Sequence, residues 1–235
     1  MKLFVNGCSF THGHKDWDKS MLATDWVWPS LMSDRFDEIV NLAWQGGSNH
    51  RIVRTTLEFF DKIKDTSNWL AIIQWTQPYS RTELYDAKTK TYFGYCDGSD
   101  EPVFDLTANT KFVTIPKDFY RTIQLYKQTT IIRSHVELQS NFIHQNFLLS
   151  EYFKRRGIKF VFVSLSSYSF IHPENEHPLV KHLSRENYLE TTLTSFINPN
   201  VKHLIESDTD YHPNKAGHKV IANYITKELE ARNYL

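Results

Sequence analysis

The chain of 235 residues is poor in cysteine, with only Cys8 and Cys96. Two thiols imply no disulfide framework, and a chain of this length can instead bury a sizeable apolar core. Cys8 closes an apolar run at the start of the chain. We expect it to be a small buried side chain rather than a nucleophile, because the neighbouring Ser9 is better placed.

Long apolar runs are also missing. No stretch approaches the roughly 20 residues that a membrane-spanning helix needs. Strand-like sequence begins at Lys2, where a leader peptide would otherwise lie. We therefore expect a cytoplasmic protein, or one exported without a cleaved leader, and no membrane partner.

The chain has no excess of charge of either sign, since 27 Lys and Arg residues balance 27 Asp and Glu residues. A zero formal charge gives no reason to expect a nucleic-acid partner or an anionic membrane surface. One basic cluster, Lys154-Arg155-Arg156, ends a helical pattern, where positive charge suits the helix dipole. We interpret this cluster as a solvated helix end.

What the chain does contain is an alternation of short apolar runs with longer helical patterns, which is typical of βαβ units and a parallel sheet. It predicts a three-layer α/β/α fold with about five parallel strands, in one domain over residues 1–235. The predicted strands are Lys2–Asn6, Glu38–Leu42, Trp69–Trp75, Lys159–Ser164 and Val201–Ile205. The predicted helices are Trp26–Arg35, Asn49–Lys64, two pieces between Lys117 and Arg156, one near Arg185–Phe196, and Lys215–Asn233.

The segment Tyr79–Pro116 breaks this alternation and is rich in Thr, Tyr, Asp and Gly. It is typical of a hairpin or an ordered insertion, with a turn at Asp97-Gly98. It follows the third strand, so it begins at the carboxyl edge of the sheet, where ligands bind in such folds. A lid or substrate wall and a plain surface insertion are equally compatible with this pattern.

Two short motifs at opposite ends of the chain carry chemistry. Gly7-Cys8-Ser9 follows the first strand, so the Ser9 hydroxyl and backbone N–H can both face a ligand. Asp210-Tyr211-His212-Pro213-Asn214 precedes the last helix, with Asp208 two residues earlier. These residues supply the three groups of a Ser–His–Asp triad, with either aspartate able to orient His212.

Taken together, these motifs resemble the SGNH hydrolase superfamily of GDSL-type lipases and esterases. Gly7-Cys8-Ser9 matches its first block, Asn41 to Gly46 its second, and His212-Pro213-Asn214-Lys215-Ala216-Gly217-His218 the tail of its last block. The likeness spans most of the chain outside the insertion. It implies a flavodoxin-like fold and a serine esterase that needs no cofactor.

The resemblance also implies roles for individual residues. Ser9 would be the nucleophile, His212 the general base and Asp210 the acid that orients it. The backbone N–H groups of Ser9 and Gly46 would form the oxyanion hole, with the Thr76 hydroxyl as a third donor. Four further side chains are candidates for substrate contact, namely His12, Asn49, Trp75 and Gln77.

Two positions depart from the family pattern. Thr76 stands where the third block has an asparagine whose side chain donates to the oxyanion, and Gln77 or Asn49 are candidate substitutes. Losing one such donor typically costs on the order of 10²–10³ in turnover. The usual Asp-x-x-His spacing would put the acid at Thr209. We favour Asp210 over Asp208, because variants with Asp-x-His-Pro-Asn also occur in such enzymes.

Two other function classes remain open at this point. Thr11-His12-Gly13-His14 resembles the signature of nucleotidyltransferases, whose polar side chains hold nucleotide phosphates. A non-catalytic carbohydrate- or partner-binding module is the other, because a binding surface would suit the many aromatic residues (Trp17, Trp26, Trp28, Trp44, Trp75, Tyr79). The expected ligand of an esterase is a small-molecule or glycan ester.

The chain has 11 histidines, and His12, His14 and His50 could converge near Ser9. No cysteine partner or convincing helical His pair accompanies them, so we predict no metal site.

Overall fold

The computed structural model describes residues 1–13, 25–78, 81–86, 91–96, 103–104, 135–167, 176–197, 199–207 and 210–235. The remaining residues include Asp208, His14, Trp17, Tyr79, the turn at Asp97-Gly98 and the first of the two helical pieces expected after Lys117. The predictions that rest on them lie outside the described residues.

Four parallel strands form the central sheet, in the order β2-β1-β3-β7. They are β1 (Lys2–Asn6), β2 (Glu38–Asn41), β3 (Trp69–Trp75) and β7 (Lys159–Ser164). β1 pairs with β2 on one side and with β3 on the other, and β3 pairs with β7. The predicted parallel α/β sheet is confirmed.

Helices cover both faces of this sheet, which confirms the three-layer architecture. The described α-helices are α1 (Ser9–His12), α2 (Asn49–Asp61), α3 (His135–Arg156), α4 (Leu193–Phe196) and α5 (Lys215–Ala231). Short 3₁₀ helices lie at Ser30–Arg35, Val180–His182, Arg185–Asn187 and Pro199–Leu204.

Alternation along the strands creates two apolar cores. In β1, Leu3 and Val5 face a cluster that includes Ile221 and Ile225 of α5. Phe4 faces the opposite cluster, which includes residues of α2 and α3. Strands buried on both faces are apolar throughout, and this is why three of the four strands have the predicted bounds.

The fifth strand, predicted at Val201–Ile205, is wrong. Pro199–Leu204 is a 3₁₀ helix with a kink at Val201, and Ile205 makes only an isolated antiparallel bridge to Pro213. Leu204 and Ile205 are buried in the cluster that contains α5, so their apolar character reflects packing rather than strand pairing.

Two helix predictions were wrong over much of their length, and those for α2 and α5 extended two or three residues too far. Over Trp26–Arg35 only Ser30–Arg35 is helical, as a 3₁₀ helix that follows Pro29. Over Arg185–Phe196 the backbone extends at Tyr188, which bridges Phe162 of β7. This extended segment lies beside the edge strand β7.

The insertion contains a separate antiparallel sheet of β4 (Arg81–Asp86), β5 (Thr91–Cys96) and β6 (Val103–Phe104). The predicted hairpin is therefore confirmed. Arg54 of α2 anchors it, because its Nε and Nη2 donate to the two carboxylate oxygens of Glu83 at 2.8 and 2.7 Å. The insertion is thus fixed against the helix that follows the second block.

The basic cluster ends α3 as predicted, and Arg156 Nη2 donates to the carbonyl oxygens of Phe60 and Ile63. Among the described helices, none combines the length and the apolarity that a bilayer span requires.

Candidate active site

Ser9 is placed by a tight turn at the carboxyl end of β1. The turn begins at Asn6, whose side-chain oxygen accepts the Gly7 N–H at 2.9 Å. The Asn6 amide nitrogen is 2.8 Å from Thr55 Oγ1 and 3.1 Å from the Ile52 carbonyl oxygen, both in α2. This buried side chain ties the end of the strand to the neighbouring helix.

His212 is placed by the start of α5. Asn214 caps this helix, with its side-chain oxygen accepting from the N–H groups of Ala216 and Gly217 at 3.0 and 3.1 Å. Its amide nitrogen donates to the Ile205 carbonyl at 2.9 Å. The cap therefore holds both sides of the loop that carries the histidine.

The two ends of the chain meet at one hydrogen-bonded series. His212 Nε2 lies 2.8 Å from Ser9 Oγ, and His212 Nδ1 lies 2.5 Å from Asp210 Oδ1. The same Asp210 oxygen also accepts the His212 backbone N–H at 3.0 Å. The predicted trio of Ser9, His212 and Asp210 is thus brought together, 203 positions apart in sequence between serine and histidine.

This geometry fixes the roles of the ring nitrogens. An ionised carboxylate only accepts hydrogen bonds, so Nδ1 carries the proton toward Asp210 and Nε2 accepts from Ser9. Phe10 packs against the imidazole with ring centroids 5.1 Å apart. The His212 and Asp210 side chains are 25% and 32% exposed, whereas Ser9 is buried with 4% of its surface exposed.

The loop that follows β2 and contains Gly46 lies against the turn Gly7-Cys8-Ser9, called the nucleophile turn for its predicted role. Trp44 N–H donates to the Gly7 carbonyl at 3.1 Å, and a Cβ on Gly47 would lie 3.0 Å from that same oxygen. Gly46 has φ of 69°, a conformation that side chains disfavour. The loop thus carries Gly46 close to the backbone that leads into Ser9, while its oxyanion role stays a prediction.

Two hydrogen bonds join the Asn49 side chain to the backbone of Thr76. Asn49 Oδ1 accepts the Thr76 N–H at 2.9 Å, and its Nδ2 donates to the Thr76 carbonyl at 3.0 Å. Both residues are buried, and the Asn49 amide is directed at the end of β3. This pairing explains why an asparagine begins α2, and oxyanion or substrate contacts by either residue stay predictions.

The position of Trp75 contradicts its predicted role as a substrate contact. Its side chain is fully buried and packs against Phe142 and Phe162, so it belongs to the core beneath the sheet edge. The alternation of side chains along β3 places Trp75 on the face that α2 and α3 cover. Gln77, just beyond β3, is only half-buried, and its substrate role stays a prediction.

His12 ends α1 and faces a cavity of about 770 Å³ that follows the edge strand β2. Its Nδ1 lies 2.9 Å from the Gly13 carbonyl, and its ring meets Trp44 edge-on at 5.5 Å. Burial, together with the nearby charge of Arg51, holds the pKa of His12 below its usual value. The imidazole is therefore neutral near pH 7, with Nε2 as a hydrogen-bond acceptor.

The competing function classes receive less support from these positions. Thr11 of the nucleotidyltransferase-like signature is fully buried, with its hydroxyl 3.1 Å from Gln74 Oε1. Of the aromatic side chains expected on a binding surface, Trp28 and Trp75 are core residues, while Trp26 and Trp44 are partly exposed. Within the described ranges, no three His, Cys, Asp or Glu side chains are grouped to hold a metal ion.

Sequence reasoning missed two buried side chains near the site. Gln74 of β3 accepts a hydrogen bond from the Cys8 N–H. The sequence feature that could have indicated this role is a single amide side chain within an otherwise apolar strand. His218 lies in the first turns of α5, where Nδ1 accepts the Trp28 N–H at 3.2 Å. It had been noted only as part of the last family block.

Comparison with known proteins adds a family and a fold. Residues 14–190 match the model of a family described as a family of unknown function, DUF6071. No curated protein matches the chain.

Solved structures of hydrolases match nearly the whole chain. TesA aligns with a TM-score of 0.51 at 13% identity, covering 98% of this chain and 99% of its own. The psychrotrophic esterase EstA from a Pseudoalteromonas species aligns with a TM-score of 0.53 at 11% identity, covering 100% and 99%. A lipase/acylhydrolase from Enterococcus faecalis aligns at 0.47 and 12% identity, covering 98% and 96%. The alignments with TesA and EstA, whose TM-scores exceed 0.5, show an SGNH-like α/β fold, as the sequence motifs predicted.

Proposed function

For a chain that belongs to the DUF6071 family and has an SGNH-like hydrolase fold, we propose the function of a serine ester hydrolase with Ser9, His212 and Asp210 as its triad. The observation that supports this most directly is the unbroken series from Asp210 Oδ1 through both ring nitrogens of His212 to Ser9 Oγ. The 2.8 Å between His212 Nε2 and Ser9 Oγ is within the range that proton transfer requires.

In the proposed reaction, Ser9 Oγ attacks the ester carbonyl carbon while His212 Nε2 takes the hydroxyl proton. Asp210 stabilises the imidazolium that forms. The negative charge on the former carbonyl oxygen is held by the N–H groups of Ser9 and Gly46, with the Thr76 hydroxyl as a third donor. His212 then gives its proton to the leaving alcohol, and the acyl group stays on Ser9.

Water completes the cycle by attacking the acyl-enzyme. His212 Nε2 takes a proton from this water and returns it to Ser9 Oγ as the carboxylic acid leaves. An alcohol in place of water would make the same site an acyltransferase. The open face of the imidazole is compatible with either acceptor.

We assign the leaving alcohol of the substrate to the cavity beside β2, which His12 of α1 lines three residues after Ser9, although none of the triad residues lines it. Its lining includes His12, Asn41, Trp44 and Ser33. A neutral imidazole, an amide and a hydroxyl suit sugar hydroxyls, and an indole can stack on a sugar ring. We therefore include deacylation of an acylated carbohydrate in the proposal, with other small esters as the broader class.

The test is hydrolysis of nitrophenyl acetate and butyrate. Replacing Ser9 by alanine should lower kcat/KM by about 10⁴-fold or more, because the covalent path is lost. A fluorophosphonate should add one covalent group to the wild type and none to the variant. The matched control is Ser67→Ala, an exposed serine that precedes β3, which should retain both activities.

A wild type with neither turnover nor phosphonate labelling would contradict the esterase. Retained binding of acetylated oligosaccharides by such an inactive protein would instead favour the binding module. Labelling of Ser9→Ala at the wild-type rate would rule out this serine as the nucleophile.

A further inference from the structure

Gln74 is a fully buried amide at the carboxyl end of β3, directly beneath the nucleophile turn. Its Oε1 accepts the Cys8 backbone N–H at 3.0 Å and lies 3.1 Å from Thr11 Oγ1. Its Nε2 donates to the Trp75 carbonyl at 2.8 Å. One side chain thus joins the centre of the sheet to the turn that carries Ser9.

The bond to Cys8 matters because Cys8 is held from both sides. Its carbonyl oxygen accepts the N–H groups of Thr11 and His12 at 3.0 and 2.9 Å. That carbonyl and the Ser9 N–H belong to the same planar trans peptide, so they point in opposite directions. The hydrogen bonds to the Cys8 N–H and to the Cys8 carbonyl therefore also fix the direction of the Ser9 N–H.

Space around Gly7 shows how close this approach is. A Cβ on Gly7 would lie 2.7 Å from Gln74 Oε1 and 2.9 Å from Gln74 Cβ. Real Cβ atoms essentially never show such distances. The glycine therefore lets the amide reach the Cys8 N–H, and the turn and Gln74 form one packed unit.

We propose that Gln74 is a positioning residue that aims the Ser9 N–H at the oxyanion, and this inference rests on the proposed esterase function. Gln74 touches no reacting atom. It acts through Cys8, whose N–H it binds, and its buried place in β3 makes the turn as rigid as the sheet. Rigid, pre-aimed donors stabilise the charge that develops in the transition state rather than the bound substrate.

This distinction predicts a split between kcat and KM. Gln74→Met keeps the length of the side chain but removes the acceptor, so the Cys8 N–H loses its partner. We expect kcat for nitrophenyl acetate to fall by about 10–100-fold, because one oxyanion donor is misaligned rather than deleted. KM should stay within about 2-fold, because ground-state binding does not use this donor.

The matched control is Tyr188→Phe. The Tyr188 hydroxyl donates to the buried Asn146 side chain at 2.9 Å, in the core on the α3 side of the sheet. Removing it also removes one buried hydrogen bond, but outside the triad and the nucleophile turn. This variant should lower the midpoint of urea unfolding while kcat stays at the wild-type value.

Gln74→Glu tests the same role through the pH dependence of kcat, which a purely structural role would leave unchanged. It also keeps the inference testable if Gln74→Met does not fold. A protonated glutamic acid can accept from Cys8 and donate to Trp75, as the glutamine does. Burial raises the pKa of such a carboxyl, so it ionises only at higher pH, where its charge opposes the nearby oxyanion. We expect kcat near the wild-type value on the acid side of that pKa and a fall above it, whereas the wild-type profile has no such alkaline limb.

Each outcome decides the inference. A wild-type kcat in Gln74→Met, or a Gln74→Glu profile with the same shape as the wild type, would overturn the role of Gln74 and leave the esterase intact. A wild type without turnover or phosphonate labelling would overturn the esterase and this role together. A loss of kcat in Tyr188→Phe as large as that in Gln74→Met would assign the effect to general destabilisation and also overturn it.

Discussion

Acid should destabilise this fold through one histidine, His218. The side chain is fully buried in the apolar cluster that joins α5 to the sheet, where its ring packs edge-on against Trp26 at 5.3 Å. Nδ1 accepts the Trp28 N–H, so Nε2 carries the proton of the neutral ring. Within the described part of the chain, Nε2 is buried without a hydrogen-bond partner. Burial and the nearby His212 both disfavour a charged imidazole at this place.

Burial lowers the pKa of His218 from 6.5 to about 3, and repulsion from a charged His212 acts in the same direction. The unfolded chain keeps the ordinary value, so it binds the proton more strongly than the folded chain does. The stabilisation is complete above pH 6.5 and is lost as pH falls from 6.5 toward 3. Each pH unit in this window lowers the free energy of unfolding by about 1.4 kcal/mol.

The loss should reach about 3 kcal/mol at pH 4.5, two units below the unfolded value, which is a large part of the 5–15 kcal/mol typical of a domain. Urea unfolding followed by tryptophan fluorescence at about pH 7.5 and pH 4.5 measures it. His218→Phe should be less stable at pH 7.5, because the Trp28 N–H loses its acceptor, but its pH dependence should be shallower. His203→Gln, at an exposed position, is the control and should keep the wild-type dependence. Equal pH dependence in the wild type and His218→Phe would refute the reasoning.

Two further changes test packing around the site. Gly217→Ala should lower the free energy of unfolding by about 3 kcal/mol or more, because the added Cβ would lie 2.3 Å from the Leu204 carbonyl oxygen. The control is Gly157→Ala, where no atom lies within 4 Å of the added Cβ. It should cost only about 1 kcal/mol, for the left-handed φ of 63°. Urea midpoints compare the two, and equal losses would contradict the assigned contact. Glu83→Gln should cost about 1–3 kcal/mol by breaking the paired bonds to Arg54, and unchanged stability would show that this ion pair does not anchor the insertion.

The parallel sheet and the proximity of Ser9, His212 and Asp210 could be predicted from the sequence for a physical reason. Strands β1, β3 and β7 are buried on both faces, so each contains a run of apolar residues, three in β1 and four or more in β3 and β7, and Gln74 near the end of β3 is the polar exception within that strand. The carboxyl ends of parallel strands share one edge, so a serine after β1 and a histidine before the last helix can be expected to meet there. The start of the last helix at Lys215 was also predicted correctly, and Asn214 before it caps the helix because an asparagine side chain can bind the first free N–H groups.

Failures occurred where tertiary packing decides the local structure. Val201–Ile205 is apolar because Leu204 and Ile205 pack under α5, and a short apolar run does not distinguish that from a strand. Tyr188 extends beside β7 although its neighbours have helical character, because the edge of β7 offers backbone partners. Trp75 was expected to contact the substrate, but it ends β3 on the face that packs against α3 and is buried there.

The geometry of the site depends on how two separately held halves are joined. The Ser9 half is fixed from inside the sheet, by Asn6 to α2 and by Gln74 to the turn. The His212 half is fixed by the Asn214 cap to α5. The described bond between the two halves is the 2.8 Å contact of His212 Nε2 with Ser9 Oγ, so its length depends on how α5 packs on the sheet. Because a misplacement of about 1 Å can cost on the order of 10²-fold in rate, loosening α5 should reduce turnover before the chain unfolds globally.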